Sequence, residues 1–457
     1  MEDRRSMPEP QWFSGVGDGD TVLARSRPLH VTPVCAAAGY CTKPTGTPPP
    51  LDSPFVKYDL HILPSGIVHP TAVNLIGSGT VVSVAQFFKE LSTLKEKGIN
   101  TTGRIFVSDR AHLLFELHRS IDGLEEKALG GAKIGTTGNG ERSIKKETFQ
   151  DRSDLPQGIG PCYSDKAARS GVRIAEMMDK AYFDERLRRL AKSKKGRFGD
   201  LLQYDVEAEI LMFDKYRKTL QPFVVDGVEM VCRAQDDGTD ILIEGANALM
   251  LDIDYGTYPF VTSSDTGLAG VFTGLGGLRP ETLTTRIGVV KAYTTRVGSG
   301  PFPTECFDEA GSQLQERGAE FGTTTGRRRR CGWLDMVILR HSHRINRYTH
   351  INLTKLDVLD NFETLKIAVA YRSRNEDGSV VEYRDRFPAD LSVLENDRLE
   401  VQYQTVEGWR TDITSCRTFA DLPEQARKYV KFVENDLGVP VRWIGVGPGR
   451  EAMIEES

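Results

Sequence analysis

Ile351-Asn-Leu-Thr354-Lys355-Leu-Asp357 is a short apolar run that breaks directly into charge. A run of this length bounded by a turn reads as a buried strand. Its polar end matters because strand ends in open α/β sheets are where ligands sit. Working outward, the pattern recurs. Ile241-Leu-Ile-Glu244 is a buried-type strand followed by Gly245, and Arg286 to Tyr293 (RIGVVKAY) is another. Lys366 to Tyr371 and a final strand at Val441 to Val446 follow the quoted run, and residues 379–404 read as an antiparallel excursion. Helical spacing covers Cys331 to Ile345 and Leu422 to Leu437. Upstream, Ala72 to Val84 reads as strand, turn, strand, and Ser83 to Lys97 as an amphipathic helix. Arg104 to Ser108 is a strand leading into a helix near Ala111 to Ser120, and residues 173–220 are helical and heavily charged. Strands alternating with helices predict an α/β sheet domain carrying helical and β insertions.

Composition supports a large globular unit. Of 457 residues, 39% are hydrophobic and 27% charged, enough for a sizeable core and incompatible with global disorder. The net charge of −5 argues against a dedicated nucleic-acid binder. No run of apolar residues is long enough for a transmembrane helix, and Met1 to Pro10 lacks the apolar core of a signal peptide. Seven cysteines without a CxxC pair read as reduced thiols of a cytoplasmic protein, with no disulfide framework or zinc site. Residues 1–55 stand apart: they end in Thr42-Lys-Pro-Thr-Gly-Thr-Pro-Pro-Pro50 and are expected to be loop or disorder. Residues 56–457 read as one α/β domain, interrupted by a polar insert at 139–157.

Four stretches carry chemistry. In Thr354-Lys355-Leu356-Asp357 a carboxylate can accept two hydrogen bonds from the donor edge of a guanine, while a lysine stem lies along a base plane; a solvated turn is the alternative. Thr323-Thr324-Thr325-Gly326-Arg327-Arg328-Arg329-Arg330 combines hydroxyls, a glycine and arginine forks suited to carboxylate and phosphate; a plain basic loop is the alternative. Glu244 to Ser264 sets an acidic residue and a glycine-rich turn at a strand end. Gly158-Ile-Gly-Pro161-Cys-Tyr163-Ser-Asp-Lys166-Ala-Ala-Arg169 puts Lys166 and Arg169 three residues apart, on one face if helical.

Taken together with Tyr58 to Gly66, Ser108 to His112, Ile134 to Thr137, Val290 to Gly298 and Trp443 to Pro448, these stretches resemble the adenylosuccinate synthetase family from about Val56 to Met453. The resemblance implies a central, mostly parallel sheet and a homodimer. It implies that GTP drives the ligation of IMP and L-aspartate to adenylosuccinate through a 6-phosphoryl-IMP intermediate, with Mg2+ bridging phosphates. By matching positions, Thr137, Asn247, Thr262 and Arg327 would hold IMP, and Arg169 would reach the partner subunit's nucleotide. Thr323, Thr324, Thr325, Gly326, Arg327, Arg328 and Arg329 would close over aspartate, Arg329 also touching GTP. Lys355, Leu356, Asp357, Gly445, Val446 and Gly447 would contact guanine, and Lys166 is the lysine of its signature.

Two departures bear on chemistry. The family's Q-W-G-D-E-G-K-G-K motif, which carries the base, a metal ligand and the phosphate loop, is replaced by Gln11-Trp-Phe-Ser-Gly-Val-Gly-Asp18. The N-N-A-G-H motif with the acid histidine is also missing, so no catalytic base, acid or metal ligand is assigned. The insert separates Thr137 from the motif ending in Arg169; without Gly140 to Gln157 the family pattern would be continuous. A nucleotide-binding homologue without catalysis is the alternative reading. A nucleic-acid binder using Arg327 to Arg330 fits poorly with the charge and the lack of interleaved aromatics.

Overall fold

The computed structural model describes residues 58–128, 157–321 and 328–456, together with backbone strands at Gln11–Gly15, Leu29–Thr32 and Gly39–Cys41. Among the described residues the dominant feature is a ten-stranded sheet. Its order across the sheet is Met453–Glu455, Val441–Gly445, His350–Thr354, Thr285–Lys291, Gln11–Gly15, Ile241–Glu244, Leu29–Thr32, Val73–Ile76, Ile105–Ser108 and Val224–Val225. Every neighbouring pair is parallel except the edge pair Val441–Gly445 with Met453–Glu455. With helices on both faces, Ile241–Glu244 is buried at every position, and so are Ile351 to Thr354, and their residues are mostly apolar.

Two large cores flank the sheet. One joins Ile243, Val290, Leu353 and Ile444 to Tyr429 and Val433 of the helix Glu424–Leu437. The other joins Ile76 and Val107 to Phe87, Phe183 and Phe213 of the helices Val84–Glu96, Lys180–Phe198 and Val206–Leu220. Carboxylate and hydroxyl caps start these helices: Ser83 accepts from the Gln86 amide, and Asp179 and Asp205 do the same for their own first turns. A separate antiparallel unit packs Thr364–Arg374 against Val380–Tyr383 and Leu399–Glu407, the excursion read from residues 379–404. Among the described residues no helix is long and apolar enough to cross a membrane.

The structure corrects several expectations. The stretch 1–55, read as loop or disorder, contributes three strands, and Gln11–Gly15 and Leu29–Thr32 lie inside the large sheet. Ladder hydrogen bonds come from the backbone, so a strand can insert between two others without the apolar run that signals one in sequence. The helix expected from Ala111 begins at Glu116, because His112–Leu113 pairs with Val81–Val82. The helix expected from Cys331 begins at Met336: Arg330–Gly332 pairs with Thr294–Arg296, Leu334–Asp335 pairs with Thr364–Arg374, and Asp335 caps the helix. Residues 173–220 divide into three helices. Val441–Gly445 is not the final strand, since Met453–Glu455 folds back against it.

Candidate active site at the carboxyl edge of the sheet

Because the strands are parallel, Gly445, Thr354, Lys291 and Glu244 all end at the same edge, and the quoted turn emerges there. Lys355 takes a left-handed conformation at φ 58°, a strained choice for a non-glycine residue, and opens the 3-10 turn Leu356–Leu359. Leu356 is fully buried beneath it. The neighbouring strand ends on Gly445, where a Cβ would lie 3.2 Å from the Thr354 Cα. Glycine therefore lets the two strand ends close together. Val446 is buried and donates its amide to the Ala452 carbonyl at 2.8 Å. A Cβ on Gly447 would come 3.0 Å from the Ala452 Cβ. Arg317 donates to the Asp357 carbonyl at 3.1 Å. Burial pushes the Asp357 carboxyl up from its ordinary range.

Beneath this turn sits Glu320, fully buried. It accepts from Tyr293 Oη at 2.6 Å, from Lys355 Nζ at 3.0 Å, from Lys291 Nζ at 3.0 Å and from Arg329 Nη1 at 3.0 Å. Burial pushes its carboxyl up, but Lys291 and Lys355 outweigh that and hold it down to about 2. Lys355 also donates to the Gly318 carbonyl at 2.7 Å. The Glu320 carbonyl accepts from the Arg329 amide at 2.8 Å, and a Phe321–Arg328 bridge closes the base of the threonine–arginine loop. Arg328 reaches Gln315 Oε1 at 3.1 Å. One carboxylate thus ties the Lys355–Asp357 turn to the arginine loop.

Asp252 organises the connection from Glu244 to Ser264. Its Oδ1 accepts from the amides of Asp254 at 3.0 Å and Tyr255 at 2.9 Å, and its Oδ2 from that of Thr266 at 2.6 Å. Inside that frame Asn247 is left-handed at φ 66°, and the Thr262 amide donates to the Leu251 carbonyl at 2.8 Å. Glu244 accepts from the amide and hydroxyl of Ser65 at 2.9 and 3.0 Å, which docks the Tyr58 to Gly66 segment here. Arg296 of the VKAYTTRVG run donates to Thr257 Oγ1 at 3.0 Å.

The helix Ile159–Ala167 packs against the same connection, with Ser263 Oγ 3.2 Å from where a Gly160 Cβ would be. Lys166 lies over the Tyr163 ring, and Arg169 is exposed and left-handed at φ 62°. The buried Asp165 fixes this turn. It pairs with Lys194 at 2.6 Å and His118 at 3.2 Å, while its carbonyl accepts from the amides of Ser170 and Gly171 at 3.0 Å. Burial opposes its ionisation, yet the bonds from His118 and Lys194 hold its carboxyl below the ordinary range. Burial, with Lys166 and Arg173 close by, drives His112 down to about 4, so it is neutral at physiological pH.

The structure therefore gathers Lys355, Leu356, Asp357, Gly445, Val446, Gly447 and Arg329 into one region, and Asn247 and Thr262 into a second beside the Lys166–Arg169 turn. Thr137, Thr323, Thr324, Thr325, Gly326 and Arg327 lie outside the described residues, as does 139–156 of the insert. Sequence reading missed Glu320, Lys291, Asp252 and Asp165 as organisers. For Glu320 a signal existed: a lone acid three residues before Thr323, facing a run of four arginines, is a natural counter-charge.

The comparisons place this fold and sequence in a known family. The adenylosuccinate synthetase family model matches residues 53–454. The chain is 56% identical over 400 residues to the adenylosuccinate synthetase of Sordaria macrospora, covering 87% of each. Identity to that of Uncinocarpus reesii is 53% over 403 residues, 88% of this chain and 89% of the relative. The solved structure of fully ligated adenylosuccinate synthetase from Plasmodium falciparum superposes with a TM-score of 0.83 at 34% identity, covering 98% of this chain and all of that one. A cyanophage succinoaminodeoxyadenylate synthetase bound to dGMP and dATP, 15% identical with a TM-score of 0.51, shares the fold. On its motifs, its sheet and these relatives, the chain belongs to the adenylosuccinate synthetase family.

Proposed function

We propose that this chain is a ligase of purine nucleotide synthesis that joins IMP to L-aspartate at the expense of GTP. The observation that carries the reading is the meeting of the Lys355–Asp357 turn with Gly445–Gly447 and Arg329 at one sheet edge, in a chain more than half identical to named synthetases. The γ-phosphoryl group of GTP passes to the purine carbonyl oxygen, leaving GDP. The amine of aspartate then displaces phosphate to give adenylosuccinate.

Each group has a role in that sequence. Asp357 accepts from the guanine donor edge and Lys355 lies along the base. Arg329, with Arg327 and the threonine run, neutralises the aspartate carboxylates and the spread charge of the moving phosphoryl group. Thr137, Asn247, Thr262 and Arg327 hold IMP, and Arg169 acts on the partner subunit's nucleotide within a homodimer. The left-handed Arg169 turn, exposed and braced by Asp165, supports that assignment. The α/β domain, which takes in the strands Gln11–Gly15 and Leu29–Thr32 as well as residues 56–457, acts in the cytoplasm with no nucleic acid or membrane partner.

Magnesium is the cofactor that the family implies. Among the described residues no three His, Cys, Asp or Glu side chains converge to hold a metal ion. The roles of the described residues are binding, orienting and neutralising charge. A non-catalytic homologue finds no support among the relatives, which carry the synthetase name.

Incubating the purified full chain with IMP, aspartate and GTP in magnesium buffer should yield adenylosuccinate, GDP and phosphate in equal amounts. Product formation should fail when ATP replaces GTP. No adenylosuccinate under conditions where GTP and IMP both bind would overturn the catalytic reading.

A further inference from the structure

Glu320 lies behind the site, not in it. It is fully buried, with Tyr293, Lys291, Lys355 and Arg329 bonded to its two oxygens. Three cations around one carboxylate leave a surplus of positive charge. Two of those cations sit on separate elements that reach the sheet edge. Lys355 opens the turn after His350–Thr354, and Arg329 closes the threonine–arginine loop that begins directly after Glu320. Lysine and arginine side chains are flexible, and fixing their heads from below removes freedom before any ligand arrives. Bonds to the same carboxylate also make the two positions dependent on each other: a ligand that draws Arg329 toward itself changes the field and the bonding that hold Lys355.

We propose that Glu320 is a positioning residue that presets Lys355 for guanine and Arg329 for aspartate, and so couples the two binding events. The inference rests on the ligase reading of this edge. Coupling of this kind is reciprocal: aspartate should tighten the guanine nucleotide by the same factor that the nucleotide tightens aspartate. IMP, which meets this loop only through Arg327 and is otherwise held from the Asn247 and Thr262 side, should respond much less.

The test is calorimetric and kinetic on the full chain. Glu320→Gln keeps the side-chain shape and removes the charge. It should weaken GTP and aspartate by about tenfold or more, the loss of a charge-assisted bond at each, while IMP binding stays within about threefold. Glu320→Asp, which keeps the charge on a shorter stem, should recover part of both losses. Tyr293→Phe removes one bond to Glu320 without touching the cations, and should shift GTP and aspartate together by a few-fold; it remains informative if Glu320→Gln does not fold. Equal weakening of all three ligands, or loss of GTP affinity with aspartate untouched, would overturn the coupling. Wild-type chain that binds no GTP would overturn the ligase reading itself, before any variant is compared.

Discussion

Replacing Asp357 by asparagine isolates one atom of the proposed guanine contact. The carboxylate offers two oxygens to the N1–H and the 2-amino group of guanine; an amide offers one oxygen and turns two hydrogens toward a donor. Burial pushes the Asp357 carboxyl up, which means water is poorly placed to replace a lost partner. Among the described residues no other side chain bonds that carboxylate, so the change leaves the protein's own hydrogen bonding nearly intact and acts on the ligand. A charge-assisted bond lost to a desolvated partner is worth roughly 1.5–3 kcal/mol, or roughly ten- to hundredfold in GTP affinity. Xanthosine triphosphate carries a carbonyl where guanine carries the amine. The amide can donate to it, so selectivity for GTP over that analogue should fall by more than GTP affinity does. Titration calorimetry with both nucleotides measures this directly, with IMP as the control from the Asn247 side. GTP affinity within about twofold of wild type, or an equal loss for IMP, would refute the guanine assignment.

Subunit mixing tests the shared site: Arg169→Leu and Arg327→Ala chains should each be inactive alone and recover activity when exchanged into heterodimers, and lack of recovery in mixed dimers verified by mass spectrometry argues for a site contained in one chain. Asp335→Ala should destabilise the fold by roughly 2–4 kcal/mol in urea unfolding, since it removes a helix cap and the partner of a buried tyrosine hydroxyl; Asp335 Oδ1 accepts from Val337 and Ile338, and Oδ2 from Tyr371. Burial pushes the Glu209 carboxyl from 4.5 up to about 7 against the bonds from Tyr204 and Glu116. A raised carboxyl favours the folded state as pH falls, so its penalty is complete above pH 7 and relieved toward pH 4.5. At 1.36 kcal/mol per pKa unit that is roughly 3 kcal/mol. The melting temperature of Glu209→Gln should therefore change less than that of wild type between those values, and parallel profiles would contradict it.

How far the sequence reaches differs from residue to residue. Ile241–Glu244, Thr285–Lys291 and His350–Thr354 were legible because strands covered on both faces are apolar at successive positions. The helices Val84–Glu96 and Glu424–Leu437 were legible from their three-and-four spacing. The place of Lys355 and Asp357 just past a strand end was legible because that turn stays local in sequence. Gln11–Gly15 and Leu29–Thr32 were not: their membership of the sheet lies in backbone pairing with strands hundreds of residues away, as Gln11 with Leu242 and Thr285. Helix starts shifted wherever a two- or three-residue strand claimed the first turn, as Leu334–Asp335 does before Met336. The sequence by itself determined the α/β class, the family and the strand-end motifs from which the proposed ligand contacts are drawn. Only the tertiary structure decided what stands behind them, because a buried carboxylate such as Glu320 takes its meaning from Lys291, Lys355 and Arg329. The first of these lies 29 residues away and the second 35, brought within 3.0 Å by the parallel alignment of their strands.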